Sequence, residues 1–421
     1  MRLIATALLA LALGCGSEAH EGAFAGRYDR TQLRKALVEP ESEAGILLGE
    51  FLLQNKGIVD GDTIKVEGLD ASMRLLGLDC EETFKSDKAL RAYEVGFEEY
   101  LRGEQAKTSH PVKVPTPMGM AAKQFAEAFF AGVARVKLER DHPKDIRDRY
   151  NRYLAYVLAE KDGKWVNYNV ECVRAGMSPY FTKYGYATRY HAEMVAAQDE
   201  ARAAERGIWD PALEHYRDYP VRLAWWDARA EFVTAFARDA KGKNDHIVLT
   251  HWDSLQQLDR KEGDEIVLLG NVGDVRKGRD GAPTRVMLGR RMFDDFPLVF
   301  FDDEVFDATR LEHAQGEFVR VRGTVAKYRF RGKRRGQRGE EQLQIVVKDP
   351  RQIEFVDTWA LAKQAVSAAP VPAPADPTDT PVPTPAPTPA DAKDAMDPTA
   401  RPTSAPAEPA GPTVTITPPA G

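Results

Sequence analysis

Three short blocks of this sequence carry five charged side chains that together suit the hydrolysis of a phosphodiester. Asp62 lies in VDGDT (residues 59–63), Arg74, Asp79 and Glu82 in RLLGLDCEET (residues 74–83), and Arg152 in DRYNRYLAY (residues 148–156). Such hydrolysis needs a deprotonated water, neutralised phosphoryl oxygens and a stabilised leaving oxygen. A hard divalent ion takes oxygen ligands and acts as Lewis acid and template. Asp62 and Asp79 offer such ligands, with a backbone carbonyl beside them, most simply that of Cys80. Glu82 follows Asp79 closely enough to orient or deprotonate a water. Arg74 and Arg152 bring planar forks that bind phosphate oxygens bidentately, as lysine cannot. Guanidinium groups placed in advance stabilise charge that grows in the transition state. Each block has a plainer reading when taken singly: DGDT as an ordinary turn, Arg74 as a structural partner of Asp79, DRYNR as a solvated turn.

The elements that must hold these residues are short strands. IKVE (residues 64–67) alternates with period two, GLDA (residues 68–71) turns, and MRLLGL (residues 73–78) returns. A hairpin of this kind brings Asp62 and Asp79 to one end of a sheet, where two carboxylates repel unless a cation joins them. Compact structure is expected to begin near GILLGEFLL (residues 45–53), and VARVKLE (residues 133–139) and YLAYVL (residues 153–158) read as further strands. Helices are expected over about 118–132, with Phe125, Phe129 and Phe130 on a core face, over 168–175 ahead of Gly176, and over 188–205. Residues 84–117 form an insertion, in which Leu90, Tyr93, Phe97 and Tyr100 or Leu101 recur at helical spacing and predict one helix, followed by the loop SHPVKVPTP (residues 109–117).

Residues 216–262 read as a connector, with a helical stretch over 227–240 and Trp225 and Trp226 as core. A second pattern spans 263–357: DEIVLLGNVGDVR (residues 264–276), RVMLG (residues 285–289), PLVFF (residues 297–301), EFVRVRGTVAKY (residues 317–328) and EQLQIVV (residues 341–347). About five strands with a helical or irregular link between the third and fourth fit a small Greek-key barrel. Between Glu317 and Lys348, ten basic residues stand against three acidic ones, a local balance of +7. In that segment Tyr328 and Phe330 would stack on bases, while Arg329, Arg331, Lys333, Arg334, Arg335 and Arg338 track phosphates. The competing readings are a solvated basic hairpin, or one that touches anionic lipid. From about 366 to 421 the chain is rich in Pro, Ala and Thr and reads as a disordered tail.

With a net charge of -6, the chain has no global attraction for polyanions, so a basic site must be local. At the N-terminus, Arg2 precedes the apolar run LIATALLALAL (residues 3–13), which has the length of a signal segment rather than of a membrane span. The run ends in ALGCGS (residues 12–17), which resembles a bacterial lipobox and implies a lipidated Cys15, a tether over 16–44, and a place in the cell envelope. In an oxidising compartment Cys80 and Cys172 are candidates for a disulfide. The eight histidines are scattered, and no Cys/His cluster suggests zinc.

VDGDT, RLLGLDxxET and DRYxRxLAY, followed by NVECVRAG (residues 169–176) and AAERGIW (residues 203–209), together resemble the thermonuclease, or staphylococcal nuclease-like, family over about residues 45–210. The resemblance implies a five-stranded OB-type barrel with three helices over 45–215; the strand pattern over 263–357 separately resembles the OB-fold nucleic-acid-binding modules, so the chain as a whole is expected to be mainly β with α, an α+β fold. It also implies Ca²⁺-dependent hydrolysis of DNA and RNA to 3′-phosphate ends. Carried over, Asp62 and Asp79 would bind calcium, Glu82 would be the general base, and Arg74 and Arg152 the phosphate clamps. Arg149, Tyr150 and one of Tyr180 or Tyr184 in GMSPYFTKY (residues 176–184) would line the nucleotide pocket. Two features depart from the family pattern. Its usual proline before the glutamate is Glu81 here, a second carboxylate able to disturb or supplement the base, and the loop after Glu82 is much longer. The expectation is an exported, lipid-anchored, monomeric endonuclease with nucleic acid as its partner. The rivals are a nucleic-acid-binding lipoprotein that no longer turns over, and an envelope interaction protein.

Overall fold

Strand β1 (Leu47–Asp60) is shared by two neighbours: Leu47–Leu52 pair with β4 (Arg135–Glu139), and Leu53–Asp60 pair with β2 (Thr63–Val66). The register shifts between Leu53 and Ile58, a β-bulge of the kind that lets one strand turn a barrel corner. β3 (Met73–Leu75) pairs antiparallel with β2 and parallel with β5 (Tyr153–Lys161), and β5 pairs with β4, so five strands close in the order β1-β2-β3-β5-β4. A short strand, β6 (Lys164–Asn167), extends the sheet beyond β5. Ile64, Met73, Leu75, Val136, Leu138, Tyr153, Ala155 and Val157 fill the interior. The computed structural model describes residues 46–279, 281–291, 294–329 and 341–368. Cys15, the tether, the basic residues Arg331, Lys333, Arg334, Arg335 and Arg338 with Phe330, and the tail from 369 lie outside these residues.

The insertion holds two helices rather than the single one its periodicity predicts, α1 (Asp87–Tyr93) and α2 (Phe97–Gln105). They break at Gly96, whose φ of +114° is a conformation that a helix cannot contain and that L side chains rarely adopt. α3 (Pro117–Phe129) then crosses one end of the barrel. Thr116 caps it, its Oγ1 accepting the Gly119 N–H at 3.1 Å, with Pro117 at the first turn. α4 (Tyr168–Arg174) and α5 (His191–Ala203) complete this half, and Phe129 and Phe130 pack their rings on Tyr168 at 5.0 and 4.8 Å as core.

The residues read as a connector form α6 (Tyr219–Ala240), β7 (His246–Val248) and α7 (Ser254–Arg260). β7 pairs with β8 (Glu265–Arg276), so the second sheet starts before residue 263. β9 (Thr284–Arg291), β10 (Asp294–Phe300), β11 (Phe318–Arg329) and β12 (Glu341–Val346) follow, with α8 (Asp303–Thr309) between the third and fourth barrel strands. The ring closes as β8-β9-β10-β12-β11, the same order as the first barrel. β13 (Ile353–Phe355) adds to β11, and α9 (Thr358–Ala368) follows it. The architecture is therefore α+β with two closed five-stranded barrels. Among the described residues, no helix is long and apolar enough to cross a membrane.

A buried polar knot joins α6 to the second barrel. Glu317, 3% exposed, accepts from Arg229 Nη1 at 2.9 Å, Trp225 Nε1 at 3.0 Å and Thr358 Oγ1 at 2.6 Å. Removing one partner of such a pair leaves an uncompensated buried charge. Glu317→Ala is expected to cost about 3–5 kcal/mol, read as a fall in the urea midpoint. A change below about 0.5 kcal/mol, the scale of ordinary surface substitutions, would show that the knot is not holding α6.

Candidate active site

The β2–β3 hairpin puts its charges where the sequence pattern places them. Thr63 pairs with Arg74, so Asp62, one residue ahead of β2, lies beside β3, and the Leu75 N–H donates to the Asp62 carbonyl at 2.9 Å. Arg74 is held between two buried carboxylates. Its Nη1 pairs with Asp62, and its Nη2 donates to Asp79 Oδ1 at 2.9 Å and to the Leu78 carbonyl at 2.8 Å. The Cys80 N–H donates to Asp62 Oδ2 at 3.2 Å, and the Asp79 N–H donates to Ser178 Oγ at 2.8 Å. Cys80 thus orients Asp62 through its amide. Its thiol and that of Cys172 are free, buried and 3.8 Å apart, so the candidate disulfide is not formed.

Electrostatics divide the two carboxylates. Burial pushes Asp62 up, and the neighbouring Asp60 and Asp79 add to this, so that Arg74 only partly offsets it. Burial also pushes on Asp79, but Lys113 and then Arg74 outweigh it and hold this carboxyl below its usual range. Lys113 comes from the insertion, and its Nζ pairs directly with Asp79. Sequence reasoning passed over it as a loop lysine; the signal was its place between two apolar residues in VKV (residues 112–114).

Glu81 does not act as a second base. It is 2% exposed, and its oxygens are taken up by Thr116 Oγ1, by the Tyr216 N–H at 2.8 Å and by the Tyr219 hydroxyl at 2.8 Å. Its place in the structure is to tie the end of the insertion and the start of α6 to the site. Glu82 is different: its side chain is 40% exposed and, among the described residues, pairs with Lys85 at 3.7 Å. α3 sits hard against its backbone, because a Cβ on Gly119 would lie 1.9 Å from the Glu82 carbonyl oxygen.

Arg152 stands just ahead of β5. The parallel register Met73–Tyr153 and Arg74–Leu154 places it one residue before the strand that runs beside Arg74. Asp148 holds its Nε and Nη2, each at 2.7 Å, and the exposed Tyr150 ring lies 5.7 Å from its guanidinium. Arg149 lies 5.8 Å from the same ring. Of the two tyrosine candidates after α4, Tyr180 is a core residue. It is buried, and its hydroxyl accepts the Ala187 N–H at 2.8 Å and meets His191 Nδ1 at 3.0 Å. It is therefore withdrawn as a pocket residue. Tyr184 is exposed and packs edge-on against Phe181, whose ring in turn lies 5.8 Å from the Arg74 guanidinium. In the second barrel Tyr328 is exposed, and Arg329 donates to Glu341 Oε1 at 3.0 Å.

The donor set of Asp62 and Asp79, all oxygen and with excess negative charge, fits a hard divalent cation once Lys113 moves off Asp79. A second group of ligand types, not apparent from the scattered histidines, is His142, Asp145 and His251, with ligand atoms within 4.8 Å of one another. There the two imidazoles stack face to face at 4.8 Å, and His142 Nδ1 accepts the Lys144 N–H at 3.1 Å.

The first closed five-stranded barrel thus carries two buried carboxylates joined by a guanidinium beside its β2–β3 hairpin. A family model described as staphylococcal nuclease homologue matches residues 72–211. The chain is 30% identical over 162 residues to an uncharacterised protein of Methanocaldococcus jannaschii, covering 36% of this chain and 69% of that one. It is 28% identical over 160 residues to a thermonuclease of Staphylococcus intermedius (37% and 74%), and 26% over 155 residues to one of Staphylococcus hyicus (36% and 72%). The chain belongs to the staphylococcal nuclease-like family, a family of nucleic-acid hydrolases, through its first barrel.

Lys183 supplies a pH test of this end of the barrel. Burial first, then Arg229, lowers its ammonium to about 8, and its Nζ lies 4.5 Å over the Trp225 ring. The unfolded chain keeps that proton up to about 10.4, so between these values the unfolded state binds more protons and stability rises with pH. The stability difference between the wild type and Lys183→Met is expected to shift in the wild type's favour from pH 8 upward, read by thermal melts across pH 7–10. A difference independent of pH would show that Lys183 is ordinarily solvated.

Proposed function

We propose that this chain is a Ca²⁺-dependent endonuclease that hydrolyses DNA or RNA outside the cytoplasm as a monomer, anchored to the cell envelope by lipid on Cys15. The observation that carries the catalytic reading is the buried Asp62–Arg74–Asp79 cluster with a solvent-facing Glu82 beside it in the chain. Asp62 and Asp79 would hold the ion. When bound, it would supply Lewis-acid polarisation and neutralise phosphoryl charge. Glu82 is the proton acceptor for the attacking water, since it alone among these carboxylates has no guanidinium on it. Arg152 meets a phosphate oxygen with the Nη1 that Asp148 leaves open. Tyr150 and Tyr184 offer exposed rings to bases.

The second barrel is the accessory strand-binding module in this reading. Its support is the basic run from Arg329 to Arg338 between the last two barrel strands, where OB-type barrels commonly line their groove. Export and lipidation rest on the apolar run and ALGCGS, and labelled fatty acid entering the wild type but not Cys15→Ser is the corresponding test.

The test of catalysis is a fluorescent single-stranded oligonucleotide with Ca²⁺, with Mg²⁺ and with chelator. Glu82→Gln is expected to slow Ca²⁺-dependent cleavage by about 10²–10⁴-fold, and Arg152→Ala by about 10²–10³-fold. Salt-sensitive binding without cleavage in either metal would refute the nuclease reading and leave a nucleic-acid-binding lipoprotein.

A further inference from the structure

Lys113 belongs to the insertion, yet its ammonium rests on Asp79. Half its side chain is exposed, while the Asp79 carboxylate it meets is buried and shared with Arg74. The backbone around it is different, because it is clamped on both sides. The Val112 carbonyl accepts from the buried Arg222 Nη2 at 2.6 Å. The Val114 N–H donates to the Tyr216 hydroxyl at 2.8 Å. Two residues on, the Thr116 N–H donates to the Glu82 carbonyl at 3.0 Å, and its hydroxyl donates to Glu81. Lys113 is therefore delivered to Asp79 by a fixed loop.

The charge balance at the site gives this placement a consequence. Asp62, Asp79 and Arg74 together carry one excess negative charge, which Lys113 cancels. A divalent ion that takes Asp79 as ligand must displace the ammonium or share the carboxylate with it at close range, where like charges repel. The clamps at Val112 and Val114 keep the ammonium from diffusing far once displaced.

We propose that Lys113 is a built-in counter-cation that competes with the divalent ion for Asp79, so that the insertion sets how much free metal the enzyme needs. The proposal rests on the reading of Asp79 as a metal ligand. It predicts that the metal-free site is already neutralised and keeps its geometry, and that the ion binds more weakly than the two carboxylates alone would allow.

The test is calorimetric titration of the full chain with CaCl₂, without nucleic acid, for the wild type, Lys113→Met, Lys113→Arg and Asp79→Asn. Lys113→Met is expected to bind Ca²⁺ on the order of tenfold more tightly, Lys113→Arg to stay near the wild type, and Asp79→Asn to lose binding. Thermal melts in chelator check that each variant folds. Binding by Lys113→Met with none by the wild type also supports the proposal. Equal or weaker binding by a folded Lys113→Met overturns it while leaving the metal reading intact. No binding by the wild type or either Lys113 variant overturns both.

Discussion

The candidate site of the first barrel depends on one guanidinium buried between two carboxylates. Arg74 links Asp62, at the start of β2, to Asp79, beyond the end of β3, and also holds the Leu78 carbonyl. Buried charges persist only when paired and hydrogen-bonded, so the hairpin register, the turn over Leu76–Leu78 and the path of the chain into Glu82 are fixed together. The Cys80 amide on Asp62 and the Ser178 hydroxyl at the Asp79 amide complete the frame from two further segments. Asp62, Asp79 and Arg74 together are one charge short of neutrality, and the Lys113 ammonium supplies it.

Glu81 shows how a family position can change its task. As a side chain it would have been a second base. In the fold it is the post to which the insertion and α6 are tied, through Thr116, Tyr216 and Tyr219. The same helix runs on to Arg229 and Trp225, which meet Glu317 at the start of β11. α6 therefore meets two buried carboxylates, Glu81 beside the site and Glu317 at the second barrel. The long insertion is built into the molecule at its root.

The local pattern carried the hairpin, because alternation in IKVE and MRLLGL and the intervening turn are determined by neighbours in sequence. The placing of Asp62, Arg74 and Asp79 beside one another follows from that hairpin. What sequence periodicity could not carry were choices made by distant contacts. Gly96 breaks a helix that the apolar spacing alone would continue. Tyr180 and Tyr184 look alike in GMSPYFTKY, and only packing against Ala187 and His191 buries one and leaves the other outside. Lys113 and Glu81 take their meaning from partners 34 and 135 residues away. β7 joins the second sheet by parallel pairing across α7, a long-range contact invisible to a local pattern.

The two barrels provide an internal control on what the fold itself contributes. Both close in the same strand order, both pair their third and fifth strands in parallel, and both place a helix between the third and fourth. In the first barrel that parallel pair brings Arg74 opposite Leu154. In the second it brings Leu298 opposite Ile345 and Val299 opposite Val346, with Leu298, Val299 and Ile345 buried. The topology supplies a place at which hairpin end, strand and loop converge, and the chemistry there is set by a few side chains. In sequence, the strongly basic segment of the chain lies between the last two strands of the second barrel.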